Sequence, residues 1–183
     1  MKLVILDRDG VINEDSDDYI KSVDEWQPIA GSLEAIAQLS QAGFTIAIAS
    51  NQSGIGRGLF DYEALFAIHA RLQRAVADLG GHIDLIEFCP EAPENATHMR
   101  KPGPGMLLDI AKRLQTSLDG VPFVGDTLTD VQAAKAAGAR PIVVLSGKGE
   151  RIKMDPALKD LEVFQDLATF ATQWIARTVM VQV

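Results

Sequence analysis

The chain has 183 residues, 47% of them hydrophobic, with one cysteine and a formal charge of −8, which is enough apolar material for one substantial core. The acidic balance argues against nucleic acid and anionic membrane partners, which are bound through an excess of Lys and Arg, and a single cysteine allows no internal disulfide. No stretch is long enough to span a bilayer, and the opening MKLVILDRDG lacks the features of a signal peptide, so a monomer in a reducing cytoplasm is expected.

Lys2 to Leu6 and Thr45 to Ala49 are short β-branched and apolar runs that read as strands buried on both faces. Between them Ser32 caps a helical pattern of Leu33, Ile36, Ala37 and Leu39 that ends near Gly43. Asp61 caps a long helix to about Leu79, with Leu65, Phe66, Ile68, His69 and Leu72 at helical spacing, and Ile83 to Phe88 is a third strand. Pro104 suits the first turn of a helix to about Leu114, Pro122 to Val124 is a strand, and Asp130 to Ala137 is helical up to Gly138. Pro141 to Leu145, a weaker strand at Glu162 to Phe164, and a helix over Asp166 to Arg177 complete the series. Alternating strand and helix select an α/β fold, doubly wound, with a mainly parallel sheet and helices on both faces. One domain over residues 1–183 is expected, with no room for a cap domain.

In such sheets ligands bind beyond the carboxyl ends of the strands. Asp7 and Asp9 follow the first strand, Ser50 and Asn51 the second, and Asp126 the fourth, while Lys101 precedes the Pro104 helix. Asp7 and Asp9, two apart, face the same side of an extended chain, with Leu6 and Arg8 facing away. Crowded carboxylates call for a cation, and an all-oxygen set without His or Cys suits Mg2+. Asp7, Asp9 and Asp126 are therefore the expected metal residues. Phosphoryl transfer needs alignment and charge neutralisation. Asp7 would attack phosphorus, Asp9 would act as acid and then base, Ser50 and a nearby backbone amide would hold a phosphoryl oxygen, and Lys101 would balance the charge of nucleophile and phosphate.

The runs LDRDGVIN, ASNQSGIGRG, RKPGPGM and VGDTLTD resemble the four signatures of the haloacid dehalogenase (HAD) superfamily, in detail its histidinol-phosphate phosphatase branch. Within that branch the heptose 1,7-bisphosphate phosphatases share DRDG, NQSGIxRG and RKPxPGM. The resemblance spans roughly Leu3 to Gly147. It implies a HAD-like Rossmannoid fold, a Mg2+-dependent phosphatase with Asp7 as nucleophile, and a small phosphorylated sugar as substrate, with the 7-phosphate of a heptose bisphosphate as the leading expectation. It also implies the Asp9 backbone carbonyl as a metal ligand and Arg100 in substrate recognition.

Two departures stand out. The zinc loop of many members, CxH…CxC, is here CPEAPENATHMRKP, with Cys89 alone and Glu91, Thr97 and Met99 where further ligands would lie, so no zinc is expected. Thr127 stands where lysine is common. Substrate choice is expected from the loops Glu14 to Trp26, Gln52 to Phe60 and Cys89 to Arg100, with Asp15, Asn51, Gln52, Ser53, Arg57, Arg100 and Thr127 as candidate contacts. Arg57 and Arg100 suit a second phosphate or sugar hydroxyls, since a guanidinium offers a two-point fork. Asp15, Asp17 and Asp18 read first as a solvated acidic face. The rival activities are histidinol-phosphate hydrolysis and, in another class, a receiver-like signalling domain. A receiver carries its phosphorylated Asp after a middle strand, whereas the paired acids here follow the first.

Overall fold

A computed structural model describes residues 1–180 of the chain; residues 181–183, the end of the expected domain, lie outside the described range. Six strands, β1 (Leu3–Leu6), β2 (Thr45–Asn51), β3 (Leu85–Cys89), β4 (Pro122–Gly125), β5 (Arg140–Val144) and β6 (Glu162–Phe164), form one sheet in the order β3-β2-β1-β4-β5-β6. Every pairing is parallel. Parallel strands require crossovers, here supplied by α1 (Ser32–Gln41), α2 (Ser53–Gly56), α3 (Tyr62–Asp78), α4 (Gly105–Arg113), α5 (Leu128–Ala137) and α6 (Gly149–Ile152), with α7 (Leu167–Met180) after β6. This is the doubly wound α/β fold expected, with no additional module inserted among the described residues. No described helix is long and apolar enough to cross a membrane.

Alternation along the strands sorts the core into two layers. Val4, Leu6, Ile46, Ile48, Val124, Ile142 and Val144 pack against Ile36, Leu39, Ile68, Leu72 and Phe170 of α1, α3 and α7. Leu3, Ile5, Ala47, Ala49 and Phe123 pack on the other face against Met106, Leu107, Ile110, Ala133 and Ala134 of α4 and α5. The strand order reverses between β1 and β4, so the loops after these two central strands open side by side.

Several boundaries shift for local reasons. Ser32 is the first residue of α1 rather than its cap; Gly31, at φ +81°, holds the cap position, and Ser32 Oγ donates to Ile12 O at 2.5 Å, tying α1 to the loop after β1. Asp61 caps α3 as expected, accepting from Ala64 N–H at 2.8 Å. Pro104 lies at the cap of α4 rather than in its first turn. α5 begins two residues earlier than the expected Asp130, because Thr127 and Asp130 form a capping box. The single-turn helices α2 and α6 are too short to show a period and were not foreseen.

Candidate active site

The loops after β1, β2, β3, β4 and β5 line a cleft of about 290 Å³ that contains Asp7, Asp9, Ser50, Asn51, Gln52, Ser53, Lys101, Asp126 and Asp130. Asp7 continues β1, and its N–H donates to Val124 O on β4 at 2.8 Å, locking the two central strands together at the rim. Asp7 Oδ1 accepts from Arg8 N–H at 2.7 Å and lies 2.8 Å from the Lys101 ammonium. That ammonium also meets Asp130 Oδ1 at 2.7 Å and donates to Ala49 O at 2.9 Å. The ammonium thus has three oxygens, two of them carboxylate, within 3 Å, and the residue is 3% exposed. Asn51 pins the Lys101 backbone from both sides, Nδ2 donating to Lys101 O and Oδ1 accepting from Lys101 N–H, both at 3.0 Å.

Single ligand atoms of Asp7, Asp126 and Asp130 lie within 4.8 Å of one another. Asp126 Oδ2 accepts from Lys148 N–H at 2.7 Å, while Oδ1 is buried with no hydrogen-bond partner. Burial and then the neighbouring Asp130 charge push the Asp126 carboxyl up to about 7, against the Lys148 amide and the Lys101 charge. Burial also raises Asp7 well above the usual carboxylate range; Lys101 pulls it back, and Asp130 and Asp126 push it up again. Burial alone would lower the Lys101 pKa, but Asp130 and then Asp7 more than reverse this, keeping the ammonium charged. An orphaned buried oxygen amid crowded acids is what a hard divalent cation satisfies, so the donor set fits Mg2+. Asp130 stands behind it: Oδ1 holds Lys101, and Oδ2 accepts from Thr127 N–H at 3.0 Å and Thr127 Oγ1 at 2.6 Å.

The expectation for Asp9 needs correction. Its carboxylate is not in the acidic cluster, because β1 ends at Leu6 and Gly10, at φ +83°, turns the chain. Arg8 lies outside the cleft lining, as the alternation expects, but its guanidinium folds back under Asp9: Nε donates to Asp9 Oδ1 at 2.9 Å and Nη2 to Oδ2 at 3.0 Å. Asn13 Nδ2 and Gln52 Nε2 also donate to Asp9, at 2.8 and 2.9 Å. Burial would raise the Asp9 pKa, but Arg8, Asn13 and Gln52 together hold it below its usual value. The Asp9 carboxylate thus lines the cleft beside the acidic cluster, held by Arg8, Asn13 and Gln52, and of the residue only its backbone carbonyl remains as an expected metal ligand.

Ser50 is 1% exposed at the end of β2, its Oγ accepting from Gln52 Nε2 at 2.8 Å. Ser53 opens α2 at the cleft wall. Arg100 reaches the cleft, with Nη1 donating to Glu91 O at 2.8 Å. Thr127 lines the cleft, but its hydroxyl proton goes to Asp130, so it supports the acid rather than reaching for substrate. Arg57 is not brought to the cleft; it is exposed and paired with Glu94 at 3.2 Å. Asp17 and Asp18 are exposed, as a solvated face requires, while half-buried Asp15 meets the Lys148 ammonium at 2.7 Å, with Asp17 3.5 Å from it.

Sequence reasoning missed Arg8, Asp130 and the loop after β5. In that loop Ser146 Oγ donates to Gly10 O at 2.8 Å, and Lys148 links Asp126 to the Asp15 loop. A side chain at Gly10 or Gly147 would strike Asp126 Oδ2, so both glycines let backbone close around the acid. In the loop after Cys89, Glu91 accepts from Thr97 N–H at 2.6 Å and Thr97 Oγ1 at 2.8 Å. Cys89 is buried at the end of β3, and burial raises its thiol.

Comparison with known proteins agrees with this geometry. Residues 98–170 match the HAD-hydrolase-like family model. The D-glycero-β-D-manno-heptose-1,7-bisphosphate 7-phosphatase of Pseudomonas putida is 53% identical over 175 residues, covering 96% of this chain and all of the relative. The enzyme of the same name from Pseudomonas aeruginosa is 52% identical over 93% of this chain and 96% of its own. A crystal structure of D,D-heptose 1,7-bisphosphate phosphatase from B. bronchiseptica, complexed with magnesium and phosphate, superimposes with a TM-score of 0.94 at 49% identity. It covers 97% of this chain and 99% of that one.

Proposed function

The chain belongs to the heptose-1,7-bisphosphate 7-phosphatases of the HAD-like hydrolases, and on that premise we propose that it removes the 7-phosphate of D-glycero-β-D-manno-heptose 1,7-bisphosphate. The observation that carries this reading is the Asp7–Lys101–Asp130–Asp126 constellation at the reversal of strand order. It occurs in a chain matched end to end by enzymes of that name. The product would feed activated-heptose synthesis for lipopolysaccharide or a related glycan. We further propose that the protein acts as a single-domain monomer in the cytoplasm, the compartment being supported by the single cysteine.

Asp7 and Asp126 would hold Mg2+ together with the Asp9 carbonyl, and the ion when bound neutralises charge on the phosphoryl oxygens. An Asp7 oxygen attacks phosphorus, the bond to the sugar oxygen breaks, and Asp9 gives that oxygen a proton. Water then attacks the aspartyl-phosphate, Asp9 takes its proton, and the bond from phosphorus to Asp7 breaks to release inorganic phosphate. Lys101 balances the charge of Asp7 and the phosphoryl group, and Ser50 holds a phosphoryl oxygen. Arg100 and the Asp15 loop face the sugar.

The test compares kcat/KM for heptose 1,7-bisphosphate and histidinol phosphate with Mg2+ present. Clear preference for the bisphosphate is expected; equal or better use of histidinol phosphate would overturn the substrate assignment.

A further inference from the structure

Arg8 is the one arginine with 0% exposure, and burying a guanidinium is costly unless its partners repay the lost hydration. Its fork lies on both oxygens of Asp9, at 2.9 and 3.0 Å. Nη2 also donates to Gln52 Oε1 at 3.2 Å. Gln52 in turn donates to Asp9 Oδ2 at 2.9 Å and to Ser50 Oγ at 2.8 Å. Arg8, Asp9 and Gln52 therefore form a closed ring of hydrogen bonds joined to the serine that faces the phosphoryl group. Two-point contact fixes both the place and the plane of a carboxylate, which a single ammonium contact does not. The Arg8 side chain does not line the cleft, so it bears on the reaction through Asp9, which it grips at two points, and more weakly through Gln52.

We propose that Arg8 is a positioning residue: its buried fork aims the Asp9 carboxylate for proton transfer in both halves of the reaction. The proposal rests on the function given above. It requires that loss of the fork slow proton transfer while leaving attack by Asp7 and substrate binding in place. The two halves can be separated by the leaving group. p-Nitrophenolate departs without a proton, so phosphorylation of Asp7 by p-nitrophenyl phosphate does not need Asp9, whereas hydrolysis of the aspartyl-phosphate does.

Arg8→Lys keeps the buried charge and removes the fork, and Arg8→Met removes both. With p-nitrophenyl phosphate and Mg2+, rapid-quench kinetics on Arg8→Lys should show one fast equivalent of p-nitrophenolate per chain. Steady turnover should then be slower than wild type by about 30-fold or more, a share of the 10²–10⁴ that a positioned acid or base supplies. KM should fall in step with kcat because the aspartyl-phosphate accumulates, so kcat/KM for p-nitrophenyl phosphate should stay within about threefold of wild type, and alkyl phosphates should show no burst, because their leaving oxygen needs the proton. Arg8→Met should show the same pattern more strongly if it folds. Wild-type turnover in Arg8→Lys, or burst and steady state falling together, would overturn the proposal. Unfolding of Arg8→Lys despite the retained charge would assign Arg8 to the fold and overturn it equally. Failure of the underlying function is distinct: wild type itself would then show no Mg2+-dependent phosphate release, or Asp7→Asn would retain it.

Discussion

Replacing Lys101 by Met leaves Asp7, Asp126 and Asp130 crowded in a buried site without their shared cation. The wild-type ammonium sits 2.8 Å from Asp7 and 2.7 Å from Asp130 at 3% exposure, so this removes one partner of a buried ionic network. Such a loss costs about 3–5 kcal/mol, or roughly 10 °C in Tm for a chain of this size. Mg2+ binds the folded cluster alone, so by linkage it should recover part of the loss. The Mg2+-induced rise in Tm should therefore be larger in Lys101→Met than in wild type. Turnover should fall by about 10²–10³-fold, the usual cost of losing one preorganised charge at the transition state. Differential scanning fluorimetry with and without Mg2+, alongside phosphate release, measures both effects. A variant with unchanged Tm in metal-free buffer and less than a tenfold loss of kcat would refute the reasoning.

Asp130→Asn takes the charge from the residue that holds Lys101 from behind; the Mg2+ concentration for half-maximal activity should rise about 10–100-fold, read from a metal titration of turnover. Gly147→Ala forces a Cβ into Asp126 Oδ2, and the displaced acid should cost about 100-fold in kcat, measured with saturating Mg2+. His69, buried on α3, has its pKa lowered to about 4, by burial first and the Arg8 charge second. Its lowered folded pKa means that its contribution to stability is full above pH 6.5 and lost as pH falls toward 4. The loss is about 2 kcal/mol at pH 5. The raised Asp7 and Asp126 carboxyls act in the opposite sense over the same range, so the test is the difference between chains: from pH 7 to pH 5, denaturant unfolding of wild type should lose about 2 kcal/mol more than that of His69→Gln, and equal changes in the two would contradict it.

The fold was legible because buried parallel strands carry continuous apolar runs, as in Lys2 to Leu6 and Thr45 to Ala49, and helices carry a 3.6-residue period. Asp7, Ser50, Lys101 and Asp126 were legible because chemistry collects at the carboxyl ends of such strands. The Arg8 fork on Asp9 was not legible, because it depends on the chain leaving the strand after Leu6 for the Gly10 turn, where alternation no longer describes side-chain contacts. Asp130 looked like the start of a helix; the spacing of Thr127 and Asp130 was a readable capping-box signal that would have placed it inside the first turn, facing the cleft. The same rule that found Asp126 also points to the loop after β5, where Ser146 and Lys148 act. Arg57 was misplaced because α2, a single turn without a detectable period, carries it outward to Glu94. The pairing of Lys148 with Asp15 and Asp17 joins residues more than a hundred positions apart, which periodicity cannot show.

Acid-quenching the protein during turnover with Mg2+ and a phosphomonoester, followed by peptide mapping, tests the aspartyl-phosphate most directly. A single phosphoryl group on the peptide bearing Asp7, absent in Asp7→Asn along with phosphate release, is the predicted result. Phosphate release that survives in Asp7→Asn, or a phosphoryl group trapped on another residue, would contradict it.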